Sequence, residues 1–153
     1  MRKSTVVVLV ILMVGMLAMT LLYNHYIQQY VEEHRNAKML TEEFRADLEP
    51  GTVLKLGRTR GGEAYVVGDA SEPGLVVSGR PTEASWRADP SGGLFARRIA
   101  IRLFEVYGSD RPVVWVEFRL TKPDGTMLPA FGYQRGEGRT LVPLPPKPGR
   151  SPR

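Results

Sequence analysis

The chain has 153 residues, of which 42% are hydrophobic and 24% charged, with a formal net charge of +5. A nucleic-acid-binding domain gathers its Lys and Arg residues on one face of the fold. Here five basic residues near the two ends of the chain account for the net charge of +5, namely Arg2, Lys3, Lys147, Arg150 and Arg153. The net charge therefore does not indicate a nucleic-acid partner. The chain contains no cysteine, which excludes disulfides, thiol catalysis and thiolate metal sites.

The first element is an uncharged run from Ser4 to Asn24, rich in Val, Leu, Ile and Met. A helix needs about 20 apolar residues to cross a bilayer, and a core helix of a soluble protein would show a polar stripe. The run therefore predicts a transmembrane helix over residues 4–24, with the lipid bilayer as its partner. The residues at the C-terminal end of the run are bulky, whereas a signal-peptide cleavage site needs small residues. This favours an uncleaved signal anchor over a signal peptide.

The residues flanking this run predict its orientation. Arg2 and Lys3 precede it directly, and the next base is Arg35. Because Lys and Arg near a span stay on the cytoplasmic side, we expect residues 1–3 inside and residues 25–153 outside. The protein would then lie in the cytoplasmic (inner) membrane, with its C-terminal domain periplasmic or extracellular.

Residues 25–49 predict a stalk helix, because Gly and Pro are absent until Pro50 and Gly51. Apolar residues recur along one face, but His34 and Thr41 interrupt the second heptad row. Packing of the far half on its own domain is therefore favoured over a homo-oligomer formed through the stalk. Three tyrosines suit the membrane interface or the packing of this helix: Tyr23, Tyr26 and Tyr30.

Residues 51–144 have the sequence pattern of a small α+β domain. Short apolar runs separated by Gly and Pro turns predict an antiparallel sheet with one packed helix, in the order β-β-β-α-β-β-β. The strands are expected at 52–56, 64–67, 75–78, 113–121, 126–134 and 139–142, the helix at 94–107 and a loop at 80–93. A strand remains the alternative for 94–107. Residues 145–153 hold four prolines and predict a disordered basic tail.

Strand 113–121 alternates clearly, so it has two different faces. Val114, Val116, Phe118 and Leu120 would face the helix, while the other face carries Trp115 with Val113. Either the end of the stalk or a partner protein would cover this second face. The candidate interaction surface comprises Trp115, Val113, Arg97, Arg98 and Arg102. Its arginines would attract an acidic partner or lipid headgroups, although a solvated helix face also explains them.

Motifs for catalysis and cofactor binding are missing from the sequence. The only histidines, His25 and His34, fall on nearly opposite faces of the stalk helix, and there is no GxSxG, phosphate loop or calcium loop. We therefore expect no catalytic residue, no cofactor and no metal.

The expected function is that of a non-enzymatic scaffold, an accessory subunit of a secretion, pilus-like or division complex whose partner is a membrane or envelope protein. A sensory or small-ligand-binding domain is the alternative, and a small carboxylate-dependent hydrolase the third reading.

A spanning helix that continues into an amphipathic half and then a small sheet resembles the plan of type IV pilins and pseudopilins. Residues 1–12 contain neither the glycine nor the glutamate of their processing signature. The resemblance is therefore one of architecture, and the sequence assigns no family.

Overall fold

The computed structural model describes residues 3–58, 66–69, 71–108, 113–138 and 140–147. The chain divides into two compact units, Met1–Arg35 and Asn36–Arg153. The first helix, α1, covers Lys3–Glu43. A 3₁₀ turn at Arg45–Asp47 follows it.

The first unit consists of the apolar part of α1. Its large apolar side chains are exposed, with Met13 71% accessible. By length and composition this is the one helix of the described residues that could cross a membrane, with a mean hydropathy of 2.8 over its most apolar window. Its length and composition fit either a membrane anchor or a signal sequence. Lys3 opens it, whereas Arg2 lies outside the described residues.

The second unit is built on a five-stranded mixed sheet of spatial order β1-β2-β3-β4-β5. The strands are β1 at Lys55–Arg58, β2 at Gly74–Gly79, β3 at Trp115–Leu120, β4 at Phe131–Arg135 and β5 at Leu141–Leu144. Two helices connect β2 to β3, namely α2 at Glu83–Ala88 and α3 at Gly93–Val106. The α+β fold and the helix predicted at 94–107 are therefore confirmed.

The core lies between α3 and one face of the sheet. Ile99 and Leu103 of α3 pack against Val116, Phe118 and Leu120 of β3, and all five are 0% exposed. The end of α1 and the turn after it join the same core through Leu40, Phe44 and Leu48, where the ring centroids of Phe44 and Phe95 lie 6.4 Å apart. The prediction that the far half of the stalk packs on its own domain is confirmed.

The sequence predicted a wholly antiparallel sheet, but the observed sheet is mixed. β2 and β3 are parallel, with Leu75 opposite Val116 and Val77 opposite Phe118. Parallel neighbours need a long crossover, usually through a helix. Here α2 and α3 form that crossover, so the meander expected from short strand spacing is wrong at this pair.

Three local predictions are also corrected. The loop expected at 80–93 contains α2, because the Thr82 hydroxyl accepts the Ser85 amide as an N-cap and Trp86 is buried beneath the helix. The stalk helix ends at Glu43, before the predicted stop at Pro50, and Leu48 is already extended and bridged to Pro81. The third correction concerns the strand expected at 64–67.

Residues 64 and 65 of that expected strand lie outside the described residues, and Val66 and Val67 form a bend. Their two consecutive amides donate to the same carboxylate oxygen, Oε2 of Glu117. Successive amides of a strand point in opposite directions, so this bonding is incompatible with a strand. The segment 66–69 instead lies across the sheet.

Candidate interaction surface

The second sheet face, opposite α3, carries Trp115, which is 1% exposed. Its indole Nε1 donates to the Asp69 carbonyl over 3.0 Å. A Cβ built on Gly68 or Gly74 would overlap the indole ring, so the backbone closes on it from two sides. The layer over Trp115 is therefore segment 66–69, and neither the stalk end nor a partner is needed to cover it.

Val113 is as buried as Trp115, but it lies in the core on the α3 side, and Val114 instead packs against Trp115. The faces predicted for residues 113 and 114 are therefore wrong, because β3 and its alternation begin only at Trp115. The chain presents neither Trp115 nor Val113 at its surface.

Segment 66–69 is held by the carboxylate of Glu117, which is 0% exposed. Its Oε2 accepts the amides of Val66 and Val67, each over 2.9 Å, and its Oε1 accepts Nε of Arg119 over 2.9 Å. Arg119 is itself only 20% exposed. Sequence reasoning missed the role of Glu117, because the covering segment comes from a distant part of the chain.

Lys147 holds the same segment from the other side. Its amide donates to the Val66 carbonyl over 2.7 Å, and its Nζ donates to the Gly68 carbonyl. Lys147 belongs to the tail predicted at 145–153, of which residues 148–153 lie outside the described residues.

The three candidate arginines of α3 have different surroundings. Arg98 pairs with Asp47 over 3.0 Å and lies above the Phe44 ring, and Arg102 pairs with Glu43 over 3.0 Å. The pKa of Arg102 is raised, chiefly by its hydrogen bond to Glu43. These two arginines join α3 to the end of α1 and to the 3₁₀ turn that follows it, and both are paired with carboxylates. Arg97 alone of the three is exposed without an ion pair among the described residues.

Both ends of α3 are closed by side chains. At the N-terminus, Oδ2 of Asp89 accepts the Leu94 amide over 2.7 Å, and hydrogen bonds from Ser91 and Leu94 lower the pKa of this carboxyl. At the C-terminus, the Arg135 guanidinium donates to the carbonyls of Phe104 and Tyr107. The helix dipole is thus compensated within the fold.

Side chains fill the centre of the interface between α3 and the sheet, where Ala96, Ile99, Ala100 and Leu103 are all 0% exposed. At the β4–β5 edge of this interface a depression of about 110 Å³ remains, lined by Ile101, Phe104, Glu105, Arg135, Gly138, Thr140 and Leu141. Tyr133 donates its hydroxyl to the Gly93 carbonyl over 3.2 Å, and burial raises its pKa.

The second sheet face remains open beyond segment 66–69, where β1 and β2 meet the end of β3. An open depression of about 470 Å³ lies there. It is lined by Gly51, Thr52, Val53, Lys55, Ser78, Gly79, Arg80 and Thr121. We call this set the β1–β2 depression.

The lining of the β1–β2 depression contains two cations and no acid. Lys55 and Arg80 are exposed, and neither forms an ion pair or a side-chain hydrogen bond with the described residues. Val53, at 54% exposure, adds an accessible apolar side chain. Sequence reasoning missed this site, because only the pairing of Lys55 with Ser78 brings Arg80 near β1.

In the part of the chain that the structure describes, we find no group of side chains arranged for catalysis or metal binding. No cluster of three or more His, Asp or Glu residues suited to a metal occurs there. The interfacial candidates Tyr23, Tyr26 and Tyr30 are exposed on α1, with Tyr30 stacked on His34. No protein-family model, curated protein or solved structure matches the chain.

Proposed function

We propose that the protein is a single-pass, membrane-anchored scaffold that presents an α+β docking domain outside the cytoplasmic membrane. The apolar part of α1 is its uncleaved anchor, with the N-terminus inside. The domain serves as an accessory subunit of an envelope complex and binds another membrane or envelope protein.

The observation that carries this proposal is the β1–β2 depression. It offers exposed Val53 and two cations that form no ion pair with the described residues, which is the combination of polar and apolar contacts that transient interfaces use. A small-ligand function is less well supported, because side chains fill the centre of the interface between α3 and the sheet, and the depression at its edge, about 110 Å³, is smaller than most ligand sites. A hydrolase is also less well supported, because Glu43 and Asp47 are engaged by arginines.

Site-specific photocross-linking in living cells tests the proposal. A photoreactive amino acid at Val53 lies in the depression, while one at Leu94 lies on α3 and serves as a matched control, since these side chains are 54% and 60% exposed. We expect a discrete membrane-associated protein adduct from Val53 and none from Leu94. Equal adducts from both positions, or none from either, would contradict the proposal.

A further inference from the structure

The two cations of the β1–β2 depression come from neighbouring positions of the backbone. Lys55 lies directly opposite Ser78 in the sheet, and Arg80 follows two residues after Ser78, one residue beyond the end of β2. Both line the depression, and diagonal neighbours on a sheet face have backbone positions about 7–8 Å apart. In an extended peptide, side chains at positions i and i+2 point the same way and lie about 7 Å apart. The spacing of the two backbone positions therefore suits side chains that alternate along an extended segment.

The charge and size of the depression point to the chemistry of its occupant. Lys55 and Arg80 meet no acid in the lining, so a partner that supplies carboxylates would complete both. A volume of about 470 Å³ falls within the usual range for ligand sites, and a single phosphate would fill only a small part of it. Exposed Val53 gives an apolar side chain of the occupant a surface to contact.

We infer that the β1–β2 depression binds an extended acidic segment of a partner protein, with carboxylates at positions i and i+2. The carboxylates pair with Lys55 and Arg80, and the hydroxyls of Ser78 and Thr121 donate to the same groups or to the peptide backbone. This inference rests on the proposed docking function and names the chemistry of the partner.

The test uses the full chain in detergent micelles and three fluorescein-labelled peptides. GSDVDSG carries alternate aspartates, GSNVNSG is its uncharged counterpart, and GSDDVSG places the two acids side by side. We expect fluorescence anisotropy to show binding of GSDVDSG that weakens with added salt. The other two peptides should bind more weakly, by up to about fivefold for each exposed charge pair that is lost.

Three variants locate the binding. Lys55→Gln and Arg80→Gln should each weaken GSDVDSG binding about three- to fivefold. Arg97→Gln removes the same charge from the exposed face of α3 and should leave binding unchanged. The double variant Lys55→Glu/Arg80→Glu should prefer GSKVKSG to GSDVDSG. Unchanged urea midpoints would show that the variants are folded.

Several results would overturn the inference. Equal binding of GSDVDSG and GSNVNSG would remove the role of charge, and equal binding of GSDDVSG would remove the spacing. Full competition by millimolar inorganic phosphate would identify a phosphate site instead. If the Val53 cross-link persists while the peptides bind alike, only this inference fails. If the cross-link is absent, the proposed function fails whatever the peptides do.

Discussion

Replacement of Glu117 by alanine tests how segment 66–69 is held on the sheet. The variant loses the acceptor for the amides of Val66 and Val67 and for Nε of Arg119. It leaves two buried donors and a mostly buried guanidinium without their carboxylate. Trp115, beneath the segment, would then lose part of its cover.

The cost of Glu117→Ala follows from these contacts. Each hydrogen bond to a charged group contributes about 1.5–3 kcal/mol, and removing one partner of a buried ion pair costs about 3–5 kcal/mol. The contributions overlap, because water enters the vacated space, so we expect the free energy of unfolding to fall by about 3–5 kcal/mol. That is a large part of the roughly 5–15 kcal/mol available to a domain.

Urea unfolding of the full chain in detergent micelles, followed by tryptophan fluorescence, measures this loss. With a slope of about 1–3 kcal/mol per molar urea, the midpoint should fall by about 2 M. Glu117→Gln keeps the side-chain volume and one acceptor oxygen, so its midpoint should lie between those of the alanine variant and the natural chain. Hydrogen exchange at the Val66 and Val67 amides should accelerate in the alanine variant. An alanine variant with an unchanged midpoint and unchanged exchange would refute the role assigned to Glu117.

Three further predictions concern other parts of the domain. Gly68→Ala should destabilise by about 1–3 kcal/mol in the same urea assay, because its Cβ meets the indole ring; Gly57→Ala has open space and should not, and equal effects would contradict the packing described. Asp89→Ala should cost about 0.5–2 kcal/mol near neutral pH. Since folding lowers the pKa of Asp89 from 3.8, its stabilisation is present above that pH and is lost as the pH falls through the folded value. The difference between natural chain and variant should therefore shrink in acid, and a constant difference would argue against the charged cap. Arg98→Ala removes a solvent-exposed pair and should cost about 1 kcal/mol or less, with less effect at high salt; a much larger, salt-independent loss would show that the contact is not a surface ion pair.

The elements that the sequence predicted well are those whose signal is local. The spacing of Phe95, Ile99 and Leu103 predicts a helix face, and those residues are buried in α3. The alternation of Val116 and Phe118 likewise predicts the face that α3 covers. Leu40 and Phe44 are four residues apart, a spacing that predicts one apolar face, and both are buried.

The features that escaped prediction depend on contacts between distant residues. The parallel pairing of β2 with β3 follows from the crossover through α2 and α3, which strand spacing does not reveal. The burial of Trp115 depends on segment 66–69, whose bend is held by Glu117 of β3. The β1–β2 depression forms because the pairing of β1 with β2 brings Lys55 and Arg80 into one lining.

The central claim, an uncleaved anchor that presents the domain outside, is tested most directly by cysteine labelling, since the chain has no natural cysteine. The variants Leu94→Cys, on the exposed face of α3, and Ser4→Cys, at the start of the apolar run, are treated in intact cells with a membrane-impermeant maleimide. The account predicts that Leu94→Cys is labelled in intact cells and Ser4→Cys only after permeabilisation. It also predicts that the labelled chain stays in the membrane fraction with residues 4–24 present by mass. Labelling of Leu94→Cys only after permeabilisation, or a soluble labelled chain that lacks residues 4–24, would contradict it.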